Sequence, residues 1–140
     1  MSNFFLDANV VLALLWDRHM HSEQARRWFY EDSEEDFFFC RFTQIAVLRL
    51  LTTQSVMGND VRNMAGAWAA WDRLVVDSRV RFMNEPVHIE IAFRSQSRLL
   101  TPSPKVWADA YLLAFASLAG LTLVTFDRSL RSRTADVLVL

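Results

Sequence analysis

The 140-residue chain contains one cysteine, three glycines and three prolines. The lone Cys40 excludes an internal disulfide framework and a cysteine-based zinc site. With so few glycines there is no Gly-rich phosphate loop, and no Gly-x-Ser-x-Gly elbow occurs. No apolar run reaches the roughly 18–20 residues that a membrane span needs. The start, Met1 to Asp7, lacks the basic region and cleavage site of a signal peptide. Neither sign of charge dominates: the formal net charge is −1, which argues neither for nor against a nucleic-acid partner. These absences lead us to expect a soluble cytoplasmic domain with no membrane association.

Apolar and aromatic residues are abundant. Half the chain is hydrophobic (52%), with five Trp and eleven Phe, which excludes a disordered segment. A chain of this length buries roughly 68% of its unfolded surface, enough for one core. An acidic run, Glu31 to Asp36, reads as a solvated loop, while Arg128, Arg131 and Arg133 suit either solvated surface or phosphate contact.

Short apolar runs alternate with helical patterns. Strands are expected at Asn3–Leu6, Phe37–Cys40, Val80–Met83, Leu121–Phe126 and Val137–Leu140. Helices are expected at Val10–Trp16, Ser22–Tyr30, Thr43–Thr53, Val61–Val76, Val87–Leu99 and Val106–Ala119. Thr43 reads as an N-cap, Pro86 as a first-turn residue, and Gly120 as the stop of a helix apolar nearly all round. Trp68 and Trp71 are spaced to share a face. This alternation indicates one α/β domain over residues 1–140: a largely parallel sheet with helices on both faces.

Ligands of such a fold gather beyond the carboxyl ends of the strands. Asp7 falls just past the first strand, and Thr125 and Asp127 at the tip of the Leu121–Phe126 strand. Asp109 falls in the first turn of the helix that leads into that strand. Singly, Asp7 and Asp127 suit helix capping, and Asp109 suits the helix dipole. Together they place three carboxylates at one end of one sheet, where mutual repulsion and desolvation favour a cation between them. Three acids without Cys or His point to hard oxygen ligation, hence Mg²⁺ or Mn²⁺ rather than zinc. Such a centre suits phosphodiester hydrolysis. Gln44 shares a helical face with Val47, Leu48 and Leu51, an odd place for an amide. His19, His21 and His88 have no spaced partner and read as surface or packing residues, and Cys40 as a small core residue. A phosphotransfer reading would want a second acid where Asn9 stands.

The segments "FFLDANVVLALLW", "FCRFTQIAVLRLLT", "VWADAYLLAFA" and "LTLVTFDRSL" resemble, in that order, the motif blocks of PIN domains, above all the VapC toxins of type II toxin–antitoxin pairs. The resemblance spans essentially the whole chain and implies a three-layer α/β/α sandwich with a mostly parallel central sheet. It implies a Mg²⁺- or Mn²⁺-dependent endoribonuclease that hydrolyses RNA with a metal-activated water, pairs as a homodimer and is restrained by a VapB-type antitoxin. Asp7, Asp109 and Asp127 match the family's metal-binding acids, and Thr125 matches a hydroxyl near the metal. Asn9 matches a residue that helps order the first turn. Gln44 departs from the pattern, standing where many PIN domains carry Glu. An amide is a poorer Mg²⁺ ligand than a carboxylate, so one firm metal on Asp7 and Asp109 is expected, with a weak second site. The alternative is a catalytically weak PIN-like module that binds RNA or protein.

Overall fold

The computed structural model describes residues 3–32, 34–130 and 135–140. Its five strands are β1 (Phe4–Leu6), β2 (Phe37–Phe39), β3 (Val80–Phe82), β4 (Thr122–Thr125) and β5 (Asp136–Val139). They form one sheet in the order β3-β2-β1-β4-β5. Every pairing is parallel, with Phe4 opposite both Phe37 and Thr122. The α-helices are α1 (Ala8–Leu15), α2 (Ser22–Arg27), α3 (Arg41–Leu51), α4 (Gln54–Met57), α5 (Met64–Val75), α6 (Ile89–Ser97) and α7 (Val106–Ala119).

Strand alternation sorts the core into two layers. Leu6, Phe37, Phe39 and Val124 point to one side, where α1, α2, α3 and α5 supply Val10, Ala25, Val47 and Trp71. Phe5 and Leu123 point to the other, where α7 supplies Leu112, Phe115 and Ala116. There the Phe5 and Phe115 rings stack at 4.5 Å, fixing α7 across β1. The result is the three-layer α/β/α sandwich expected from the sequence.

Several boundaries differ from the sequence reading. The expected helix from Val61 begins only at Met64, because Asn63 caps it by accepting the Gly66 N–H at 2.7 Å. Its buried face is Ala67, Ala70, Trp71 and Leu74, so Trp68 does not share it and stands 47% exposed. Helix α3 starts at Arg41, two residues before Thr43, so Thr43 is no cap; it is buried, with Oγ1 3.4 Å from Cys40 Sγ. Helix α6 starts after Pro86, because His88 adopts a left-handed conformation (φ 68°) immediately before it. The helix from Ser22 loosens into a wider π turn at Trp28–Asp32. Helix α7 has the bounds expected, and Gly120 ends it at φ 68°. Arg131 and Arg133 lie outside the described residues, as does Ser33 of the acidic run.

Candidate metal centre

The chain passes from β1 to β2 and β3 on one side, then returns to place β4 on the other side of β1. The carboxyl ends of β1 and β4 therefore flank the point where the connections diverge, which is where an open α/β sheet forms a crevice. Asp7 follows β1 directly, and its N–H donates to the Val124 carbonyl at 3.0 Å. That bond locks it beside the end of β4.

The Asp7 carboxylate is held at both oxygens. Oδ1 accepts the Ala8 N–H at 2.7 Å, so Asp7 does cap α1, as its position suggested. Oδ2 accepts the Thr125 hydroxyl at 2.8 Å. Thr125 is fully buried, and its Oγ1 also accepts the Asp127 N–H at 3.1 Å. One hydroxyl thus ties the first acid to the main chain of the third. Asp127 is followed by a turn rather than a helix; its Oδ1 accepts the Ser129 N–H at 2.9 Å and the Ser129 hydroxyl at 2.6 Å. Asp109 enters from the opposite face, in the first turn of α7. It precedes Phe115 by six residues, or about 9 Å of helix.

The three acids feel one another. Burial raises the Asp7 pKa above the usual carboxylate value; the bonds from Thr125 and Ala8 oppose this, and the Asp127 charge adds to it. Burial also raises Asp109, reinforced by the charges of Asp7 and Asp127. Among the described residues no ion pair reaches Asp7 or Asp109 to offset this. Nor do any three Asp, Glu, His or Cys side chains among the described residues close into a ready-made metal cage. The donor set suits Mg²⁺ nonetheless, since that ion keeps several waters and is held by one or two carboxylates.

Gln44 is buried in the first turn of α3, at the carboxyl end of β2. Its Oε1 accepts a hydrogen bond from the Arg41 guanidinium, three residues earlier. The sequence reading overlooked Arg41, although the i, i+3 spacing was its signal. His21 and His19 pack 4.5 and 6.0 Å from the Phe126 ring, whereas His88 is exposed, and burial and the His21 charge lower the His19 pKa.

The sequence profile of the PIN domain matches residues 4–135. The chain belongs to the PIN-domain family. Ribonuclease VapC41 of Mycobacterium tuberculosis is 38% identical over 126 residues, covering 86% of this chain and 86% of the relative. That likeness places the PIN domain described above with the VapC members of its family. The crystal structure of M. tuberculosis VapC20, a Sarcin-Ricin loop cleaving toxin, superposes with a TM-score of 0.61 at 14% identity, covering 86% of each chain. VapBC2 of Rickettsia felis, solved bound to a DNA fragment from its promoter, gives 0.62 at 10% identity and 98% of each chain. At such identities the two structures bear on the fold alone.

Proposed function

We propose that this PIN domain is a Mg²⁺- or Mn²⁺-dependent endoribonuclease, the toxin of a type II toxin–antitoxin pair, acting in the cytoplasm. The observation that carries the reading is Asp7 pinned by Thr125 at the strand-end crevice, within the electrostatic reach of Asp109 and Asp127. The VapC relatives named ribonucleases support the same activity. Asp7 and Asp109 would hold the cation, and Asp127 adds to the negative field that attracts it. When bound, the ion supplies charge to the phosphate oxygens and acidity to water. The Thr125 hydroxyl fixes the Asp7 carboxylate in one orientation, so no reorganisation is needed as a phosphate arrives. Exposed Asp127 is placed to accept a proton from the attacking water, its Oδ1 steadied by Ser129.

A VapB-type antitoxin is the expected partner, because the chain's VapC relatives lie in the toxin half of the family that its motifs resemble. Homodimerisation is supported by large apolar side chains left exposed on α6 and α7, Ile91 at 72% and Trp107 at 60%. The second reading, a weakly catalytic binding module, draws on Gln44, whose amide oxygen is engaged by Arg41. Purified protein should cut RNA only with added Mg²⁺ or Mn²⁺, and Asp7→Asn should abolish cutting. RNA binding without cleavage at any metal concentration would favour the second reading.

A further inference from the structure

A cavity of about 890 Å³ opens between the end of α1, α2 and α5, and none of Asp7, Asp109 and Asp127 lines it. Arg18, Arg26, Arg62 and Arg73 do, against the carboxylates of Asp17 and Asp60. Two of these guanidinium groups are committed: Arg26 pairs with Asp17, and Arg18 lies 3.6 Å from Asp60. Asp60 also accepts the Trp16 indole N–H at 2.8 Å. Arg62 and Arg73 make no ion pair among the described residues. Among the described residues, the Nε atoms of Arg62 and Arg26 are buried without an acceptor.

We propose that this groove binds the phosphate backbone of RNA a few nucleotides away from the bond that is cut. The inference rests on the ribonuclease reading. Arg62 and Arg73 contact phosphates. Guanidinium forks match phosphate oxygens bidentately, and the Tyr30 ring at the rim, 65% exposed, gives a base a surface to stack on. The spacing agrees. Helix α1 begins beside Asp7 and its eight residues carry the chain about 12 Å to the groove. That is about four nucleotides of a stacked strand at roughly 3.4 Å each.

The test is fluorescence anisotropy of a labelled 20-nucleotide RNA in EDTA, where no cutting occurs, at several salt concentrations. Arg62→Gln and Arg73→Gln should each weaken binding about three- to tenfold. Each should also reduce the slope of log K against log salt by about 0.7, whereas Arg62→Lys should keep the wild-type slope. Thermal melts check folding; Arg73, on the exposed side of α5, carries the test if Arg62→Gln does not fold. A double variant that binds RNA as wild type does, or a wild type that does not bind, overturns the proposal. Unchanged RNA binding with weakened retention of a poly-glutamate peptide also overturns it and assigns the groove to an acidic protein segment. Wild type that binds through these arginines yet never cuts with Mg²⁺ or Mn²⁺ refutes the nuclease reading and leaves the groove standing.

Discussion

Replacing Thr125 with Val removes one buried hydroxyl and keeps the branched shape at Cβ. The hydroxyl makes two contacts, donating to Asp7 Oδ2 at 2.8 Å and accepting from the Asp127 N–H at 3.1 Å. A hydrogen bond to a charged group contributes about 1.5–3 kcal/mol, while a neutral one contributes about 0.5–1.5. The loss should therefore be larger at neutral pH, with Asp7 ionised, than at acid pH. Scaled to a domain of this size, it should lower the melting temperature by about 5–12 °C. The same bond holds the Asp7 pKa down against burial, so its removal raises that pKa further. Cleavage that needs ionised Asp7 falls as pH drops through its pKa, so the acid limb of the rate profile should move to higher pH. Thr125→Ser should restore both properties. Circular dichroism melts and RNA cleavage between pH 5 and 8 check this. Thr125→Val with wild-type melting and an unmoved acid limb would refute the reasoning.

Three further outcomes are expected. Asp7 and Asp109 have folded pKa values raised above the unfolded value, so their stabilising share is fully present below that value and is lost as pH rises through the raised ones. In EDTA, urea unfolding should show wild-type stability falling as pH rises from about 4, and Asp7→Asn flattening that fall and exceeding wild type at pH 7; a less stable Asp7→Asn at pH 7 would contradict it. Phe115→Ala deletes a fully buried ring stacked on Phe5 and should cost about 3–5 kcal/mol, read as a lower denaturation midpoint. Gln44→Glu should tighten Mn²⁺ binding if residue 44 faces the ion; unchanged affinity means that its partner is Arg41 alone.

The sheet and its crevice were legible because they rest on local signals. Continuous apolar runs marked the strands, and Gly120 marked the end of α7. Asp7 was visible as the polar residue that ends an apolar run, although its capping bond and its place beside Thr125 look alike in sequence. Shorter elements were not visible. Helix α4, Gln54–Met57, is too short to show a period. The false start at Val61 came from that single apolar residue, which lies two positions before the Asn63 cap. The arginine groove was hidden for a different reason. Arg18, Arg26, Arg62 and Arg73 are scattered over four segments, and only the packing of α1 and α2 near α5 gathers them.

Asp7 and Asp109 are proposed to hold a divalent cation. Isothermal titration of Mn²⁺ into metal-free protein measures this directly, without RNA. We expect wild type to bind and Asp7→Asn to lose at least tenfold in affinity, with Asp109→Asn behaving alike. Wild-type affinity in both variants would show that the cation, if it binds at all, sits elsewhere.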